Sequence, residues 1–357
     1  MGRGSRVRSV GSGGFARLVA PALLASLALA GEASAAGPVV GVSWSNFQEE
    51  RWKIDEAALV AGLEEEGARY LSADAQSSTE KQLADIESLI TRGAEVLVIV
   101  AHDALAVQPA IAAADAEGIP VIAYDRLIER RGVLYLSFDN REVGRIQARE
   151  IQKVVPTGRY VFIKGAPTDP NTDFVHAGQL DVLSAAIAAG DIEVVGDQYV
   201  EGWLPEVAQR TMEQILTATD NQLDAVVCSN DGMASGVVAA LAAQGLEGVP
   251  VSGQDGDRAA LNRVARGLQT VSVWKDARVL GAAAARAAVA LARGVPPAEI
   301  EGAATWRGGP SGTPIDAILL EPVPITRDRL ELVIESGWVE RSAVCRGATE
   351  PLPAACR

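Results

Sequence analysis

The chain is poor in the residues that most enzymes work with. It holds two histidines, His102 and His176, and three cysteines in 357 residues. Neither histidine stands in a metal-ligand spacing such as His-x-x-x-His, so no metal site is expected. No Gly-x-Ser-x-Gly turn exposes a nucleophilic serine, and no Gly-x-x-x-x-Gly-Lys loop is present to cradle phosphates. A Gly-x-Gly-x-x-Gly after a strand is missing as well, which excludes the dinucleotide fingerprint. Asp255 and Asp257 form a carboxylate pair suited to acid–base work, but Asp255 reads more simply as a hydroxyl acceptor. No catalytic residue, metal or cofactor is therefore assigned. Aromatic residues make up only 4% of the chain, so Trp44, Trp52 and Trp203 near predicted strand or loop ends stand out.

Acidic residues outnumber basic ones except at the start. Arg3, Arg6, Arg8 and Arg17 precede the apolar run Leu18 to Ala30, and Ala33-Ser34-Ala35 follows. Basic, apolar and small segments in that order describe a secretory signal peptide over residues 1–35, with cleavage near Ala35. The apolar run is shorter than the roughly 20 residues that a membrane-spanning helix needs. Export to a Gram-negative periplasm is the expectation. The full chain has 32 basic and 46 acidic residues; without four leader arginines and Glu32 the balance is 28 against 45, or −17. Such a surface repels nucleic acid and anionic membranes.

The cysteines are unevenly placed. Cys228 ends Asp224-Ala225-Val226-Val227-Cys228, a buried-strand pattern in which cysteine acts as a small apolar residue. Cys345 and Cys356 flank a Gly/Pro/Ala-rich tail, and an oxidising compartment permits a disulfide between them.

Short apolar runs recur at β-plus-α intervals. Strands are predicted at Val39–Val42, Arg69–Ser72, Val96–Val100, Val121–Tyr124 and Tyr135–Phe138. A second series follows at Tyr160–Ile163, Ile192–Val195, Ala225–Cys228, Val249–Val251 and Thr270–Trp274. Continuous runs such as Val96 to Val100 suit strands buried on both faces, as in parallel sheets. Between them lie amphipathic helices. The clearest opens on a Ser77-x-x-Glu80 capping box, repeats Leu83, Ile86, Leu89 and Ile90, and stops at Gly93. About 320 residues after the leader exceed one compact core, so an α/β fold of two similar doubly wound lobes is expected.

Polar residues follow these strands. Asn46, His102-Asp103 and Asp125-Arg126 do so in the first series. Thr168-Asp169-Pro170-Asn171, Ser229-Asn230-Asp231, Gln254-Asp255 and Lys275 do so in the second. Ligands of open α/β sheets bind beyond the carboxyl ends of the strands, so the two sets can face each other across a cleft. Asp and Asn supply acceptors while Arg, Asn and Lys supply donors, a mixture matched to vicinal hydroxyls. A neutral sugar also offers a flat C–H face for an aromatic ring.

Glu50-Arg51-Trp52, Gln82-x-x-Asp85-Ile86-Glu87, Ala123-Tyr124-Asp125-Arg126 and Ser137-Phe138-Asp139-Asn140 carry a further signal. Gly196-Asp197-Gln198 with Gly202-Trp203-Leu204-Pro205-Glu206 continues it. Ser229-Asn230-Asp231, Ser252-Gly253-Gln254-Asp255 and Val273-Trp274-Lys275 complete it. Together, from about Val39 to Val339, these stretches resemble the D-xylose-binding proteins, a branch of the type I periplasmic sugar receptors that serve ABC importers. The resemblance implies that Arg51, Asp125, Arg126, Asn171, Asn230, Asp255 and Lys275 hydrogen-bond sugar hydroxyls. It implies that Trp52 and Trp203 pack against the ring, with Asp169 as a secondary ligand-binding candidate that orders the loop carrying Asn171. Pro170 departs from the polar run usual there, which stiffens that loop and leaves room for another sugar: glucose, galactose or arabinose.

The same topology implies a three-segment hinge near Asp139, Trp274 and Pro314. One lobe would comprise 38–139 with 275–313, the other 140–274 with 314–345, leaving 346–357 as a tail. The implied partner is an ABC permease in the inner membrane, served by a monomeric receptor that does no chemistry on the sugar. A chemotaxis co-receptor role is compatible with this. The effector domain of a transcriptional regulator shares the two-lobed architecture, but it would need a basic helix-turn-helix where the leader stands.

Overall fold

A computed structural model describes residues 1–2 and 37–357 of the chain. The expected leader, past Gly2, and its cleavage site lie outside the described residues. The apolar runs and helical repeats alternate from the start: β1 (Val39–Trp44), α1 (Arg51–Glu65), β2 (Arg69–Asp74), α2 (Thr79–Thr91), β3 (Val96–Ile99), α3 (Gln108–Ala116) and β4 (Val121–Tyr124). Next come β5 (Leu134–Phe138), α4 (Asn140–Val154), β6 (Gly158–Lys164), α5 (Pro170–Ala189), β7 (Ile192–Tyr199) and α6 (Pro205–Ala218). They continue with β8 (Ala225–Cys228), α7 (Asp231–Ala242), β9 (Ser252–Gln254), α8 (Arg258–Arg266), β10 (Val271–Trp274) and α9 (Ala277–Ala292). The chain closes with β11 (Ala304–Trp306), β12 (Ile315–Leu320), β13 (Val323–Ile325), α10 (Leu330–Glu335) and α11 (Arg341–Val344).

The strands sort into two parallel-rich sheets. The first has the order β11-β12-β5-β4-β3-β1-β2, with β11 antiparallel at its edge. The second is built from β7-β6-β8 and β9-β10-β13, whose facing edges meet through a parallel bridge between Val226 and Val251. The fourth strand of the second series runs over Ser252–Gln254 rather than 249–251. Central strands such as Val96–Ile99 are buried along their whole length, as a sheet covered on both faces requires. Helices cross closely where glycine allows it. A Cβ on Gly144 would sit 1.9 Å from the Val175 carbonyl oxygen, so α4 and α5 could not approach as they do with alanine there.

Three further sequence expectations change. The residue that caps α2 is Ser78, whose side chain accepts from the Lys81 N–H, while Ser77 turns to φ 62°. Residues 314–320 were expected in the second lobe, but β12 pairs in parallel with β5 in the first sheet. Burial of Ile315 and Ala317 against the β4–β5 core fixes it there, and the chain reaches the second sheet only at β13. The segment after Cys345 is not a free tail. Cys345 and Cys356 are bonded with a Cα–Cα separation of 5.5 Å, and Ala355 packs with Val344 and Leu330. Cys228 is free and buried. No described helix is long and apolar enough to cross a membrane.

Candidate ligand-binding site

Each carboxyl end of the buried strands stops in a turn, and the turns converge. Arg51 and Trp52 open α1, Asp125 and Arg126 follow β4, and Asp169 and Asn171 begin α5. A 3₁₀ turn carries Trp203, while Asn230, Asp255 and Lys275 follow β8, β9 and β10. All ten residues line one pocket. Glu49 and Gln254 line it too and were not among the predicted site residues. Gln254 does stand in the strand-end pattern. Glu49 reads in sequence as part of an ordinary charged helix start.

Arg51 organises the polar floor. It is 3% exposed, yet it reaches three carboxylates: Nε lies 3.1 Å from Asp55, Nη2 3.2 Å from Asp125 and Nη1 3.2 Å from Asp255. Lys275 Nζ stands 3.1 Å from Asp125 and 3.8 Å from Asp255. Arg126 Nε pairs with Asp169 at 3.1 Å, and its Nη1 donates to the Ala101 carbonyl at 3.2 Å. Arg51 with Asp255 and Arg126 with Asp169 thus link residues from the first sheet to residues from the second.

Charge and burial compete visibly here. Burial opposes the Asp125 carboxylate, but Arg51 and then Lys275 outweigh it and hold its pKa at about 2. Burial also opposes the Arg51 cation, and Asp125, Asp55 and Asp255 more than restore it. Asp55 sits deeper, against Arg51 and the Tyr124 hydroxyl, and burial pushes its pKa to about 6. Asp169 is raised by burial despite Arg126, and Glu49 likewise. Buried, fixed ions make strong, directional partners for hydroxyls.

The neutral groups are placed with equal definition. Asn171 donates to the Asp125 carbonyl at 2.9 Å and accepts from Asn140 at 3.0 Å and Tyr135 at 3.2 Å. Asp169 caps α5 by accepting from the Asn171 N–H at 3.0 Å, so the stiff Pro170 turn still presents Asn171. Asn230 caps α7 through Oδ1, which accepts from Met233 at 2.9 Å. Trp203 Nε1 and Gln254 Oε1 are buried without a hydrogen-bond partner. Asp125 Oδ1 has its two cations nearby but no well-aligned hydrogen bond.

Two indoles bound the pocket. Trp52 bonds Glu49 through Nε1 and carries the Arg51 guanidinium 4.5 Å from its ring centroid. Trp203 lies over Gly165, where a Cβ would come within 2.1 Å of the indole. Backbone strain gathers at the same place: Asp125, Trp203 and Asp255 have φ of 59°, 60° and 101°. L-residues persist in that region only where their surroundings over-determine them, as at ligand sites. Trp44 is different. It is fully buried against Phe47, Trp52 and Tyr124 and donates to Tyr70, so it belongs to the core. Asn46 and Asp103 also leave the pocket, the first bonded to Ser77 and the second holding the Leu105 and Ala106 N–H groups.

Known proteins share this arrangement of chain. The D-xylose-binding periplasmic protein of Escherichia coli strain K12 is 40% identical over 324 residues, 90% of this chain and 97% of that protein. The D-xylose-binding periplasmic protein of Haemophilus influenzae is 40% identical over 85% of this chain and 91% of its own. A solved ABC transporter solute-binding protein from Clostridium phytofermentans, with bound β-D-glucose, superposes with a TM-score of 0.77. It is 30% identical and covers 86% of this chain and 99% of that one. A family model described as a periplasmic binding protein domain matches residues 40–296. The chain belongs to the periplasmic binding protein domain family.

Proposed function

We propose that this protein captures a monosaccharide, D-xylose first, in the cleft and delivers it to an ABC permease in the inner membrane. One observation carries the reading. The charged donors and acceptors of both sheets, with two indoles, converge on one pocket whose ions are already paired with each other. A neutral polyol can insert its hydroxyls among such groups without adding a buried charge, and the indoles suit its C–H face. Arg51, Asp125, Arg126, Asn171, Asn230, Asp255 and Lys275 are the proposed hydroxyl partners. Trp52 and Trp203 cover the ring, and Asp169 orders Asn171.

In this reading the lobes comprise 38–139 with 275–320 and 140–274 with 323–357. Sugar bridging them shifts an open–closed equilibrium by its differential affinity for the closed form. The receptor works as a monomer in the periplasm after its leader is removed, and the sugar leaves unchanged. Glucose is the second ligand to consider, because a solved relative holds it. A thermal-shift panel of pentoses and hexoses tests the reading. Sugar that binds the folded state raises the melting temperature by mass action, with D-xylose expected to give the largest rise. No shift with any sugar at millimolar concentration would overturn it.

A further inference from the structure

Beneath the Asp255 turn lies a carboxylate that does not line the pocket. Asp231 is the first residue of α7, beside Asn230, and is 1% exposed. Its Oδ2 accepts from the backbone N–H of Gly256 at 3.0 Å and of Asp257 at 3.1 Å, and from the Ser272 hydroxyl at 2.5 Å. Its Oδ1 accepts from Gln269 Nε2 at 2.7 Å. Ser272 Oγ itself accepts from the Gly256 N–H at 3.0 Å, so the same amide is gripped twice. Arg263 donates to the Asp231 carbonyl at 2.8 Å and keeps a cation beside the buried carboxylate.

These bonds have a shared effect. The two amides that follow Asp255 both point at one carboxylate oxygen, which fixes the turn immediately after a residue at φ 101°. That conformation is unfavourable for an aspartate unless neighbours impose it. The Asp255 N–H is tied from the other side, donating to the Val273 carbonyl at 2.9 Å. Held at both ends, the Asp255 carboxylate reaches Arg51 at 3.2 Å.

We propose that Asp231 is a positioning residue for ligand capture, fixing the Gly256–Asp257 turn so that Asp255 meets both the sugar and Arg51. The inference rests on the monosaccharide-receptor reading above. Its action is through Asp255, so its effect on affinity depends on Asp255 presenting an anionic carboxylate to the sugar and Arg51. Asp231→Asn keeps the volume but removes one of two strong acceptors.

The test is a double-mutant cycle read by calorimetric titration with D-xylose, combining Asp231→Asn with Asp255→Asn. Coupled neighbours are non-additive, so Asp231→Asn should weaken binding by about tenfold alone and by less than about twofold when Asp255 is already Asn. An equal loss in both backgrounds, or no loss in the native one, would overturn the proposal. Should Asp231→Asn not fold, Ser272→Ala replaces it in the cycle, with a smaller loss that must likewise vanish beside Asp255→Asn. Should the unaltered protein bind no sugar, the receptor reading fails by itself, and hydrogen exchange in the sugar-free protein decides the positioning. Faster exchange at Gly256 and Asp257 in Asp231→Asn upholds it; unchanged exchange there overturns it.

Discussion

Asp125 and Asp255 occupy matching places in the two sheets, yet they are held in different ways. Each ends a short strand, each has positive φ, and each donates its N–H to the adjoining strand, at Leu136 and Val273 respectively. The Asp255 turn is then pinned from its own side, by Asp231 and Ser272. The Asp125 carbonyl takes one bond from Ser137 at 2.8 Å and another from Asn171, which belongs to α5 beside the second sheet. One aspartate is thus set by residues of its own sheet, the other in part by a residue beside the opposite sheet. On the proposed receptor reading both are useful: a preorganised half lowers the ordering cost of binding, and a half completed by the opposite side would couple ligand to shape.

Arg51 touches both aspartates, so its loss should have the largest effect. Arg51→Ala leaves Asp55, Asp125 and Asp255 without their shared cation, and breaking such buried pairs typically costs ~3–5 kcal/mol. Denaturant unfolding of the sugar-free variant should show a loss of that order. A loss below about 1 kcal/mol would mean that the carboxylates find water without Arg51.

Asn171→Ala sharpens the contrast. It should weaken D-xylose binding by ~1–3 kcal/mol, as for a buried acceptor left unpaired, while sugar-free stability stays nearly unchanged. Comparable damage to the sugar-free protein would place the Asn171 bond in the resting fold and erase the difference between the turns.

A smaller effect separates the carboxylates behind the two aspartates. Asp55 is raised by burial to about 6, above an unfolded value of about 3.9. Its contribution to stability is therefore full below about pH 3.9 and is lost as pH rises through about 6. Asp231 is also pushed up by burial, against Arg263 and Ser272, so the second-sheet side adds a slope of the same sign. Melting temperature followed from about pH 4 to 7 should fall less steeply in Asp55→Asn, with the Asp231 share remaining. An unchanged slope would remove Asp55 from the titration.

Much of this site could be read from sequence because two strong rules coincide. Buried strands announce themselves as runs such as Val96-Leu97-Val98-Ile99, and ligands gather beyond their carboxyl ends, which selects Asp125-Arg126 and Gln254-Asp255 without any coordinates. The capping residue was misplaced by one because Ser77 and Ser78 offer the same hydroxyl, and only the backbone at φ 62° distinguishes them. The strand β12 escapes local reading because its partner β5 lies 182 residues earlier (317 − 135), at a pairing of Ala317 with Tyr135 that no local pattern encodes. Glu49 was missed for a different reason: exposed and buried glutamates look alike at the start of a helix. The role of Asp231 depends on Gly256, Gln269 and Ser272, which fall beside it only after β8, β9 and β10 assemble.

Calorimetric titration of D-xylose into the unaltered protein, run beside Asp255→Ala, addresses the binding cleft most directly. The expected result is one saturable site in the unaltered protein, weakened in the variant by ~2–4 kcal/mol because buried partners lose their acceptor. Absence of heat in the unaltered protein, or native-like affinity in Asp255→Ala, would contradict it.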